Sequence, residues 1–248
     1  MIDFSYALAT ALVAAVIGGF IRGFAGFGGA LIFMPVASAV FGPRLAAPIF
    51  LVMDYLLTLP MVARSFPTCR WPTVLPAALA GMATAPLGAW ILANGDPVML
   101  RWTLCLLVIV LLVLITSGLR YHGEPRLIAS AGVGGIAGIF GGIGQVSGPP
   151  VAAFWMSGPY PVAAIRANMF CFFGLLSLSS FAAYFWNGFF TEESMTLALI
   201  VGPAYAVSLF LGGRFFGKTE GANYRPVVYG LIAFAALSSM PVFDSWLR

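Results

Sequence analysis

Arg22, Asp54 and Arg166 are charged side chains that fall inside hydrophobic sequence, and directly after Arg22 the chain runs GFAGFGGALIFMP, residues 23–35. A planar arginine fork donates two parallel hydrogen bonds to an oxyanion such as sulfite, a sulfonate or a carboxylate. Placing an arginine at mid-membrane depth costs at least about 2.5 kcal/mol on insertion scales, so each needs a partner or a role. Arg22 either binds an anion, snorkels to an interface, or pairs with Asp54, the one acid inside a predicted span. Arg166, shortly beyond Pro161, either binds an anion or snorkels to the cytoplasmic surface. Asp54 is read as a counter-ion to an arginine or as the carrier of a coupling proton.

The glycines beside Arg22 suggest where such an anion would sit. Gly23, Gly26, Gly28 and Gly29 lie close together, and each weakens a helix by about 1 kcal/mol relative to alanine, so a break is expected there. Non-helical backbone at membrane depth persists only where protein or a water-filled cavity satisfies it. A helix restarting near Ala30 would aim free N–H groups and its positive dipole end into that cavity, and such ends bind anions.

The same device recurs. Shifted by 115 residues, residues 18–37 match residues 133–152 at Gly19, Ile21, Gly23, Gly26, Gly29, Pro35, Val36 and Ala37, which fall on Gly134, Ile136, Gly138, Gly141, Gly144, Pro150, Val151 and Ala152. A second restart is expected near residues 145–147. Gly28, Gly29, Gly144 and Gln145 are assigned to the cavity. Gly19, Gly23, Gly134 and Gly138 are read as sites of close helix packing. Gln145, Ser147 and Asn168 could complete a hydrogen-bonding shell around a multi-oxygen anion, although Ser147 and Asn168 read equally well as helix–helix hydrogen-bonding residues.

The elements that must hold these residues are membrane helices. Of 248 residues 61% are hydrophobic and 8% charged, where soluble domains are about 25% charged. Apolar runs suited to crossing a bilayer recur at residues 8–21, 45–62, 73–93, 98–119, 161–186, 194–211 and 224–240. The first lacks a basic leader and is read as a membrane segment that is not cleaved. The expected fold is an all-α integral membrane protein of about 8–10 membrane segments, in two repeats, residues 1–119 and 127–248, joined by a cytoplasmic linker at 120–126.

Arg64, Arg70, Arg120, Arg126, Arg214, Lys218 and Arg225 gather on one side if each glycine-rich pair counts as an even number of crossings. The positive-inside rule makes that side cytoplasmic. Both termini then lie on the other side and the halves have opposite orientation, an arrangement recurrent in secondary transporters. Whether the pairs span fully or form re-entrant hairpins stays open.

Other chemistries find little support. Cys69, Cys105 and Cys171 show no CxxC spacing and His122 stands among loop charges, so no metal site, disulfide framework or cofactor is expected. With no HExxH or GxSxG motif and one intramembrane acid, an enzyme is not expected. The four surplus positive charges lie mostly in loops and signal topology, not nucleic-acid binding. Trp71, Trp90, Trp102, Trp186 and Trp246 suit an interfacial belt, whereas Trp155 either lines the pathway or packs.

GFIRGFAGFGGALIFMP, its echo GIAGIFGGIGQVSGPPVAAFW and the later AAIRANMFCFF resemble the TauE/SafE group of sulfite and organosulfonate exporters, also called the 4-toluene sulfonate uptake permease family. The resemblance covers essentially the whole chain. It implies a secondary transporter of a small sulfur-containing anion in the bacterial inner membrane, working by alternating access around the two breaks. An anion channel, or a transporter of a carboxylate-type anion, is the alternative. The expected partners are that anion, the lipid bilayer, a coupling proton or other ion, and a second copy of the chain.

Overall fold

Two short helices interrupt a succession of long ones. The computed structural model describes residues 4–96, 98–99, 102, 106, 125–219 and 230. The first half contains α1 (Phe4–Ala25), α2 (Gly29–Phe41), α3 (Pro43–Ser65) and α4 (Trp71–Asn94). The second contains α5 (Leu127–Gly144), α6 (Gly148–Met156), α7 (Val162–Trp186) and α8 (Glu192–Thr219). Six of these helices are long and apolar enough to cross a membrane, as an all-helical integral membrane protein requires. With 13 and 9 residues, α2 and α6 rise only about 20 and 14 Å, short of the roughly 30 Å hydrocarbon core. The expected spans at 98–119 and 224–240, most of the 120–126 linker, and Cys105, His122 and Trp246 fall almost wholly outside the described residues.

Both glycine-rich segments are broken helices. Between α1 and α2, Gly26 and Gly28 take left-handed backbone at φ 82° and 95°, a region glycine enters without steric cost. Between α5 and α6 the left-handed position belongs to Gln145 at φ 58°, where an L side chain costs about 1–2 kcal/mol.

The halves interlock through the first helix of each. α1 packs along α8 and α5 along α4, while α3 and α7 meet between them. Missing side chains permit the approach: a Cβ on Gly23 would stand 1.9 Å from the Leu209 carbonyl oxygen, and one on Gly138 2.2 Å from that of Gly81. A Cβ on Gly19 would stand 2.3 Å from Ser208 Oγ and 2.7 Å from the Tyr205 carbonyl oxygen, and one on Gly134 2.0 Å from that of Ala77. The close-packing reading of these four glycines therefore matches the geometry.

Trp155, Tyr184, Tyr205, Phe170 and Phe172 are among the largest fully buried side chains. Trp155 donates its indole N–H to Thr73 Oγ1 at 3.2 Å, so it packs in the interior. Trp90, Trp102 and Trp186 are exposed, as residues of an interfacial belt must be. Cys69 and Cys171 are buried free thiols.

Candidate functional site

The last turn of α1 carries Arg22 into a buried ion pair with Asp54 of α3. Arg22 Nε donates to Asp54 Oδ1 at 2.8 Å and Nη2 to Oδ2 at 2.9 Å, the bidentate form. Nη1 donates to the carbonyl of Gly26, the first residue of the break. Tyr205, reaching in from α8, donates its hydroxyl to Asp54 Oδ1 at 2.5 Å. The guanidinium carbon lies 4.7 Å from the Phe173 ring centroid and 5.1 Å from that of Phe170, within cation–π range. Arg22, Asp54 and Tyr205 are all buried. Three of the five guanidinium N–H groups thus hold Asp54 and Gly26, and Tyr205 interacts with the guanidinium as well.

Arg22 borders a small cavity where the two breaks meet. Gly28, Gly29, Ala30 and Leu31 supply one wall, and Gln145, Val146, Ser147 and Gly148 the other. Arg22, Asp54 and Ser177 add polar groups, and Phe27, Phe50 and Phe173 close it with rings. The cavity measures about 30 Å³, where about 10–15 Å³ admits one water. Because Asp54 balances Arg22, its lining side chains carry no net charge. What faces it instead is backbone: neither α2 nor α6 has a side-chain cap, and the first N–H groups of a helix have no partner within it.

The two helix starts differ in what they offer. α2 begins with Gly29, Ala30 and Leu31, each carrying an N–H. α6 begins Gly148-Pro149-Pro150, and proline has no N–H, so its first turn is poor in donors. Gly29 is confined as well: a Cβ there would stand 2.7 Å from Tyr205 Oη and 3.2 Å from Arg22 Cβ. Across the cavity Gln145 Nε2 donates to Tyr184 Oη at 3.1 Å, and Tyr184 donates in turn to the Gly142 carbonyl at 2.9 Å.

Of the residues selected from sequence, Arg22, Gly28, Gly29, Asp54, Gln145 and Ser147 line this one cavity. Gly144 is buried as the last residue of α5 and stands outside its lining. Arg166 faces a different cleft and donates to the carbonyls of Gly23 at 2.5 Å and Phe24 at 3.1 Å, against the C-terminal end of α1. Asn168 accepts from the backbone N–H of Arg70 at 2.8 Å, tying the α3–α4 connection to α7. Sequence reasoning passed over Tyr205, Tyr184, Ser177 and Phe173. Only the contact of α8 with α1 and α3 brings Tyr205 to Asp54. Among the described residues no group of His, Cys, Asp and Glu is arranged to hold a metal ion.

The family model described as sulfite exporter TauE/SafE matches residues 11–239 of this chain. The chain is also similar to a probable sulfite/organosulfonate exporter TauE of Cupriavidus necator, with 27% identity over 143 residues. That alignment covers 54% of this chain and 56% of the relative, so the chain matches little more than half of the relative's length. No solved structure matches the chain.

Proposed function

Starting from a chain that belongs to the sulfite exporter TauE/SafE family, we propose that it is a secondary transporter that exports a small sulfur oxyanion, sulfite or a short organosulfonate, across the bacterial inner membrane. The observation that carries this reading is the convergence of both helix breaks and Arg22 on one cavity. The anion's oxygens accept from the N–H groups at the start of α2 and from Arg22, with Gln145 and Ser147 opposite. A cavity of about 30 Å³ suits an anion of a few heavy atoms better than an aromatic sulfonate.

Asp54 keeps Arg22 neutralised when the cavity is empty of anion. Proton transfer to its carboxylate would free the arginine fork for the incoming oxyanion, so anion and proton would occupy the site together and move together. The two halves, taken as inverted repeats, then rock about the paired breaks to expose the cavity to alternate sides. Both termini would lie on the non-cytoplasmic side.

Purified protein in liposomes tests the reading with radiolabelled sulfite and methanesulfonate. Saturable flux that is accelerated by unlabelled anion on the opposite side, and is lost on R22A substitution, is the expected result. Flux that rises linearly with concentration and shows no such acceleration would indicate a channel. Normal flux in R22A would remove Arg22 from the pathway.

A further inference from the structure

A second, larger cleft lies where α3, α7 and α8 come together. It measures about 610 Å³, and among the described residues its walls carry Arg64, Arg166 and Arg214 and no carboxylate. Arg64 lies in the last turn of α3 and Arg214 near the end of α8. Both are exposed, and the one salt bridge among the described residues is that of Arg22 with Asp54. A cleft lined by one sign of charge concentrates counter-ions from solution, and arginine forks hold oxyanions in a defined geometry. The Thr68 hydroxyl adds a further hydrogen-bonding group to the lining.

The position of the cleft matters more than its charge. Arg166 forms part of its wall while bonding the Gly23 and Phe24 carbonyls just before the first break. One turn along α7 stands Phe170, fully buried. Its ring centroid lies 5.0 Å from the Arg166 guanidinium carbon and 5.1 Å from that of Arg22. One aromatic ring therefore touches both the arginine of the cleft and the arginine of the central cavity.

We propose that this cleft is a loading site, in which Arg64 and Arg214 hold a small oxyanion drawn from solution before it passes Phe170 to reach Arg22. The inference rests on the transport reading above and adds to it the side from which the anion enters. Arg166, committed to the α1 carbonyls, positions the wall of the cleft and does not release the anion. Phe170 is the partition that must move.

The test is R64Q/R214Q in vesicles of phosphatidylcholine alone, with sulfite initial rates as the readout. Both arginines are exposed, so the folded protein should survive the change. The anion concentration giving half-maximal rate should rise about tenfold, while the maximal rate stays within about twofold because Arg22 is untouched. R64K/R214K, which keeps the charge but not the fork, should restore part of the loss. An unchanged half-saturation concentration overturns the proposal. So does an effect that appears only when phosphatidylglycerol is added, since that would place a lipid headgroup in the cleft. Should the wild-type protein carry no anion flux, the transport reading fails by itself. Equilibrium binding of radiolabelled sulfite to detergent-purified protein then reads the cleft directly: binding lost in R64Q/R214Q supports an oxyanion site there, and equal binding refutes it.

Discussion

Around the start of α2 the first break gathers Arg22, Asp54 and Tyr205, whereas around the start of α6 the second gathers Gln145, Tyr184 and two prolines. The frames correspond closely. Each has a long helix that ends in left-handed backbone, a short helix that restarts at glycine, and a first helix packed on the other half. Their chemistry does not correspond: the aligned counterpart of Arg22 is Ala137, and a donor-rich helix start faces a donor-poor one. On the transport reading proposed above, the repeated frame makes the cavity and substitutions within one copy fit it to an anion.

The largest effect should come from the charged side. R22A leaves the Asp54 carboxylate buried without its cation, which costs about 3–5 kcal/mol, and it should abolish flux. Thermal unfolding in detergent and proteoliposome uptake would measure the two. R22A/D54N should recover much of the stability but none of the flux. Recovery of transport in that double variant would make Arg22 merely a counter-ion.

The helix starts come next. G29A drives a methyl group toward Tyr205 Oη at 2.7 Å and disturbs the ion pair behind it, and misplacement at this scale costs about a hundredfold in rate. G148A meets the Phe27 ring at 2.8 Å, a side chain that can give way, so its loss should stay below about tenfold. Equal losses would erase the distinction between the two breaks.

Q145G should have a smaller and divided outcome. Glycine relieves the left-handed strain of about 1–2 kcal/mol, and loss of the bond to Tyr184 costs about 1 kcal/mol. Stability should therefore change little while sulfite uptake falls severalfold. A sharp loss of stability would mean that the bond, not the backbone, fixes the second break. The smallest effect is expected for N168A, which removes one bond to the Arg70 N–H, worth about 1 kcal/mol. Uptake per folded protein should be unchanged, and a collapse of uptake would return Asn168 to the anion's path.

The frame was legible in the sequence because glycine density and self-similarity are local signals. They led to both breaks, to the four packing glycines and to Arg22 beside the first. The pairing of Arg22 with Asp54 was legible as one of three readings, because so few charges lie inside apolar sequence. Tyr205 was not, since an apolar span that contains a tyrosine says nothing of which face meets α3. The place of Arg166, in a cleft apart from the central cavity, was not legible for a related reason. Sequence shows that a buried arginine needs acceptors, but not that the uncovered carbonyls at the end of α1 supply them. Likewise Asn168 and Ser177 lie on the same helix, and only its rotation against α3 decides that Ser177 faces the cavity and Asn168 faces the α3–α4 connection.

The central claim is that the transported oxyanion sits between the two helix starts. Selenite, the selenium analogue of sulfite, offers a direct measurement, because its anomalous scattering locates it in crystals of the protein soaked with it. The account predicts a selenium peak in the cavity, within hydrogen-bonding reach of the Gly29 and Ala30 N–H groups and of Arg22. Selenium bound elsewhere in the chain, with the cavity between α2 and α6 unoccupied at concentrations that saturate transport, would contradict it.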